Sequence, residues 1–176
     1  MERLCQYIDK LNDAVGRAAA WLMVPLILLV SFDVIARKAF SFTRIWIMDL
    51  EWHLFALIFL LAAAYTLKAD RHVRVDLFYE KFQLRDKALV DFIGSLVLLI
   101  PWCLVVIWFG FAYARESWLL GEGASEPGGL PARYVIKFSV VVGIALLLLQ
   151  GISLTYRSWK VLRSPADEEA EGSKRH

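Results

Sequence analysis

Phe92–Ala114 reads FIGSLVLLIPWCLVVIWFGFAYA, 23 consecutive residues without an acidic, basic or histidine side chain. A helix of this length measures about 35 Å at 1.5 Å per residue, enough to cross a hydrocarbon core of about 30 Å. A surface helix of a soluble domain carries charge on its outer face; this run carries none on any face. Phe138–Tyr156 repeats the pattern over 19 residues. Ala18–Phe32 is uncharged, and the apolar run resumes after Asp33. Trp52–Leu67, uncharged apart from His53, is short by itself and borrows the turn containing Asp49 and Glu51 to span. The blocks predict an all-α integral membrane protein with four transmembrane helices, at about 18–36, 48–67, 90–114 and 133–157. They leave no room for a separate soluble domain, so residues 1–163 read as one membrane domain.

Composition agrees. Of 176 residues, 59% are hydrophobic, against roughly 45–50% in ordinary soluble domains. The 20 Lys and Arg nearly cancel the 18 Asp and Glu, which excludes the basic stripe of a nucleic-acid binder. Two cysteines exclude a disulfide scaffold. Arg3, Lys10 and Arg17 precede the first block as in a signal peptide, but Asp33, Arg37 and Lys38 follow it instead of a small-residue cleavage site. The block reads as a retained signal-anchor helix.

Lys and Arg divide unevenly between the two sides of such a bundle. The N-terminal segment, the second connection and the C-terminal tail hold fourteen; the first and third connections hold six. The positive-inside rule then puts both termini in the cytoplasm. In the second connection Val75, Phe78, Tyr79 and Phe82 recur at helical spacing opposite Arg74, Asp76, Glu80 and Lys81. This predicts an amphipathic interfacial helix at about 73–84, its apolar face in membrane lipid. The outward loop Glu116–Pro131 is rich in Gly and Pro, and Pro131 is expected to open the fourth helix. Residues 164–176, with Asp167-Glu-Glu-Ala-Glu171, read as a polar, disordered cytoplasmic tail.

Candidate chemistry is sparse. Of three histidines only His53 falls within a span, so paired haem ligation has no residues to support it. No phosphate loop, zinc-protease pair or nucleophile elbow is present, and neither a cofactor nor enzymatic activity is expected. The intramembrane charges are more informative. Asp33 and Arg37 stand four residues apart, as do Asp49 and His53, with Glu51 between the latter. Such groups either line an ion pathway or fasten helices to one another or to a partner subunit. Phe55–Ala64 contains no polar side chain to continue a pathway, which favours fastening. Composition alone thus describes a subunit that contributes lipid-facing scaffold to something larger; the rival readings are the membrane anchor of a redox or enzyme complex and a self-sufficient small exporter working as a homodimer.

From Asp33 onward the sequence resembles the small, Q-type membrane subunit of the tripartite ATP-independent periplasmic (TRAP) transporters. The resemblance rests on Asp33-Val-Ile-Ala-Arg37, Trp46, Asp49-Leu-Glu-Trp-His-Leu54, Ala62-Ala-Ala-Tyr-Thr-Leu67, His72-Val-Arg-Val-Asp76 and Gly128-Gly-Leu-Pro-Ala-Arg133 with Lys137. The family often has two adjacent acids at the start of helix two; here Met48 precedes Asp49 and Glu51 follows. The resemblance implies a non-catalytic subunit in the bacterial inner membrane. It would scaffold and anchor a large, sodium-coupled permease subunit, and a periplasmic binding protein would deliver a small organic acid. On that basis Asp33, Arg37, Asp49, Glu51, His53, Arg74, Asp76 and Phe78 are candidates for contact with the large subunit. Glu116, Glu122, Glu126 and Arg133 are candidates for docking the binding protein.

Overall fold

The computed structural model describes residues 1–69 and 84–163. Nearly all of the expected interfacial helix at 73–84, including Arg74, Asp76 and Phe78, and the tail at 164–176 lie outside the described residues. Among those described, every regular element is helical. Four stretches are long and apolar enough to cross a membrane: Glu2–Phe40, Ile45–Lys68, Arg85–Leu119 and Tyr134–Arg163.

The first stretch comprises α1 (Glu2–Trp21) and α2 (Met23–Phe40). They meet at Leu22, whose own backbone is helical. Pro25 explains the interruption, since it cannot donate to the carbonyl one turn back and its ring crowds that carbonyl. α2 ends where Ser41 adopts a left-handed conformation (φ 49°). α3 (Ile45–Lys68) includes Asp49 and Glu51 in its opening turns. The third stretch is α4 (Leu84–Ile93), a π-helical segment Gly94–Leu99 and α5 (Ile100–Leu119). The wider turn stands just before Pro101, where the regular hydrogen-bond ladder loses a donor. α6 spans Tyr134–Arg163. Pro131 does not open it: Ala132, at φ 64°, stands between the proline and the helix. α1 begins at Glu2, well ahead of the apolar block: Cys5, Ile8, Asn12, Gly16 and Ala19 form its buried side, and Asp9, Asn12 and Asp13 find partners on α3 and α6.

Packing is that of a protein whose outside is as apolar as its inside. Ala19, Ala64, Cys103 and Ala114 are fully buried, whereas Phe59, Leu98 and Trp108 are about two-thirds to three-quarters exposed. Small residues bring helices together. A Cβ on Gly143 would stand 2.8 Å from the Leu60 carbonyl oxygen, so this glycine sets the approach of α6 to α3. Gly151 does the same against Leu99, and Gly16 against Tyr65. Cys5 and Cys103 are both buried and free.

Candidate functional site

A cavity of about 570 Å³ opens between the start of α3 and the loop joining α5 to α6. Asp49, Glu51, Trp52 and His53 line it from the helix; Glu126 and Arg133 line it from the loop. Three candidates from one stretch of sequence, Asp49, Glu51 and His53, and two from another, Glu126 and Arg133, thus share one wall-to-wall site with Trp52.

The loop is held by its glycines and by Asp49. Gly128 takes φ 87°, a conformation in which a side chain is strained. A Cβ on Gly129 would collide with Ala124 and stand 2.5 Å from Asp49 Oδ2. This absence of a side chain lets the Leu130 backbone N–H donate to Asp49 Oδ2 at 3.0 Å. Asp49 Oδ1 accepts from the Trp52 indole at 3.4 Å. The His53 Nδ1–H donates to the Asp49 carbonyl at 2.5 Å, and the Trp52 and His53 rings lie 4.3 Å apart. Ala124 N–H donates to the Leu130 carbonyl and Arg133 N–H to the Glu122 carbonyl, closing the loop on itself. Arg133 also donates from Nη1 to Ser125 Oγ.

Glu122 forms an ion pair with Lys137 at the head of α6. The Lys137 hydrogen bond holds the Glu122 carboxyl below its ordinary range. Lys137 also sits 3.8 Å above the Tyr113 ring. Glu116 is exposed near the end of α5 and is not part of the cavity wall.

Beside this site, Asp33 of α2 is 1% exposed and accepts from Arg37, one turn on. Both lie within electrostatic range of Glu51. Asp33 Oδ1 and Glu51 Oε1 are buried with no hydrogen-bond partner among the described residues.

A second polar cluster, at the other end of the bundle, carried no signal in the sequence. Asn12 of α1 is 1% exposed and donates from Nδ2 to Gln150 Oε1 of α6 at 2.7 Å. Gln150 Nε2 donates to Asp9 Oδ1 at 3.2 Å, and Asp9 also pairs with Arg157. Lys68 of α3 donates to Asp13 Oδ2 at 2.6 Å. The pairing residues come from distant parts of the chain, so no local spacing announces them. Elsewhere several hydroxyls are paired within the bundle, whereas Ser117 Oγ and Ser153 Oγ are buried with no partner among the described residues. Ser95 donates to the Asp91 carbonyl, and Thr155 to Ser95 at 2.7 Å; Thr66 donates to the Ala63 carbonyl at 2.8 Å.

A family model described as "Tripartite ATP-independent periplasmic transporters, DctQ component" matches residues 26–161, from the first turn of α2 to the last of α6. No curated protein matches the chain. The match takes in both motifs joined at the cavity, the Asp49–His53 turn and the Gly-Gly-Leu-Pro loop. With four helices among the described residues long and apolar enough to cross a membrane and a family match over most of its length, the chain belongs to the DctQ family, the small membrane component of the tripartite ATP-independent periplasmic transporters.

Proposed function

We propose that this subunit is a non-catalytic scaffold that enlarges and anchors the large subunit of a sodium-coupled importer. A periplasmic binding protein hands that importer a small organic acid. The observation carrying this reading is that polar side chains in the middle of the spans are paired with one another across helices. Ser95 with Thr155 and Asn12 with Gln150 are such pairs, and neither is left to bind a moving solute. The subunit sits in the bacterial inner membrane with both termini in the cytoplasm, following the Lys and Arg asymmetry. The loop after α5 then faces the periplasm. There Glu116, Glu122, Glu126 and Arg133 offer charged groups to the binding protein, next to the cavity that Glu126 and Arg133 line.

Asp33, Arg37, Asp49, Glu51 and His53 contact the large subunit in this reading. The half-exposed Arg37, held in place by buried Asp33, and the open cavity wall at Asp49, Glu51 and His53 support it, because these are the polar groups a neighbouring chain can reach. Arg74, Asp76 and Phe78, which the sequence pattern assigns to an interfacial helix outside the described residues, brace the same scaffold from the cytoplasmic side in this reading. Reconstitution tests the proposal. Liposomes holding this chain with the large subunit, supplied with the binding protein and a sodium gradient, should accumulate the acid. Liposomes with this chain alone should not, and uptake by the lone chain would refute the scaffold role.

A further inference from the structure

We infer that Lys10 and Arg17, on the outward face of α1, hold the headgroup of an anionic phospholipid of the phosphatidylglycerol type, whose only charge is its phosphate. Such a site needs only that the chain span a bilayer and does not depend on the scaffold role proposed above. With both termini cytoplasmic, the lipid belongs to the inner leaflet.

Cross-helix bonds fix the depth of α1. The uncharged blocks of α3 and α6 end at Lys68 and Arg157, so these two side chains mark the membrane boundary at this end of the bundle. Asp13 meets Lys68 and Asp9 meets Arg157, which sets the boundary between Asp9 and Asp13. Two further contacts give the same register. Asn12 bonds to Gln150 and Gly16 closes on Tyr65, both partners lying inside the uncharged blocks. Lys10 therefore lies at the boundary. Arg17 is four residues beyond Asp13, about 6 Å further into the bilayer at 1.5 Å per residue.

Both side chains face away from the bundle. α1 buries Cys5, Ile8, Asn12, Gly16 and Ala19. Tyr7, Lys10, Ala14, Arg17 and Trp21, at steps of three and four, run along the opposite face and are all exposed. Tyr7 and Trp21, 78% and 76% exposed, are of the aromatic types that settle among headgroups. An arginine one turn inside the boundary is costly if left among acyl chains. Side chains on a helix lean toward its N-terminus, so Arg17 extends back along its apolar stem to the headgroup layer where Lys10 stands. A phosphate there meets both cations, and the guanidinium fork matches its oxygens.

Charge decides which lipid. Among the described residues no acid pairs with Lys10 or Arg17. The acids of α1 are already taken, Glu2 by Lys160, Asp9 by Arg157 and Asp13 by Lys68. The ammonium of an ethanolamine headgroup would find no free carboxylate on α1 and would stand beside two cations. A headgroup with a neutral polar end satisfies the pair without that repulsion. Arg3, seven residues ahead of Lys10, stands about 10 Å further out and takes no part in the site.

Native mass spectrometry of the full chain, released from nanodiscs holding phosphatidylglycerol and phosphatidylethanolamine in equal parts, tests the assignment. The wild type should retain phosphatidylglycerol in preference to phosphatidylethanolamine. Lys10→Gln with Arg17→Gln should lower that retention about tenfold, while Arg17→Lys, which keeps the charge, should retain most of it. Equal retention of the two lipids by the wild type would overturn the site without recourse to any variant. An unchanged preference in the double variant would overturn it as well. So would an equal loss in Arg163→Gln, whose guanidinium lies over the Trp159 ring, since binding would then follow overall charge. Release of the lipid on adding the large subunit would overturn it too, because the face would then be a protein contact.

Discussion

Asn12 and Gln150 are 138 positions apart in the chain and 2.7 Å apart in the fold, joined by a buried amide–amide hydrogen bond. The bond ties α1 to the far half of α6, where Asp9 and Arg157 continue the link. Because both amides are buried, the bond stabilises the native pairing less by its own strength than by the cost of leaving either side unmet.

Asn12→Leu should therefore destabilise the subunit by about 1–3 kcal/mol by stranding Gln150. The double variant Asn12→Leu with Gln150→Leu should recover much of the loss, since both buried amides are gone and Asp9, which loses the Gln150 donor, keeps Arg157. Thermal unfolding in detergent, run as a double-mutant cycle, measures this. Equal losses in the single and double variants would show that the bond is not what holds α1.

At the opposite end, Gly129→Ala should release the loop from α3, because the new methyl would overlap Ala124 and Asp49 Oδ2. Asp49→Asn keeps an acceptor for the Leu130 amide and should be mild. Asp49→Ala removes it and should cost about 1–3 kcal/mol. Limited proteolysis within residues 120–131 reads the outcome: fast cleavage in Gly129→Ala and Asp49→Ala, near-native resistance in Asp49→Asn.

Arg37→Leu should harm the isolated subunit more than Asp33→Leu. Removing Arg37 strands a carboxylate that is 1% exposed, whereas removing Asp33 leaves an arginine whose side chain is 44% exposed. Breaking a buried pair costs about 3–5 kcal/mol, and the exposure of Arg37 places this case at the low end. Both variants should insert and both should lower recovery of the complex with the large subunit. Co-purification checks the second effect and thermal unfolding the first.

The Glu122–Lys137 pair predicts an acid-sensitive loop. Pairing lowers the folded Glu122 value below the ordinary carboxylate value of 4.5, so the folded loop binds fewer protons than the unfolded one. The pair's stabilisation is complete above pH 4.5 and is lost as pH falls through the lowered folded value. The carboxyl 13C shift of Glu122 should titrate below the ordinary value in the wild type and move up toward it in Lys137→Met, with Arg133 still holding it down in part. An unshifted wild-type titration would show that the pair does not persist in solution.

The spans were legible in the sequence because membrane insertion is decided by long uncharged blocks, which depend only on neighbours along the chain. The same holds for the charges near Asp33 and Asp49, whose spacing of four puts each next to its partner on one helix face. The loop glycines announced a turn but not what it touched. Only the tertiary structure brought Gly129 against Asp49, since nothing local in either segment encodes the other. Arg3, Lys10 and Arg17 read only as basic residues ahead of the first span, yet Asp9, Asn12 and Asp13 between them bond across to α3 and α6 from a packed helix. Their role was hidden because buried polar pairing is a relation between distant segments. Local patterning sets which residues leave water; which polar groups then meet is set by how the helices cross.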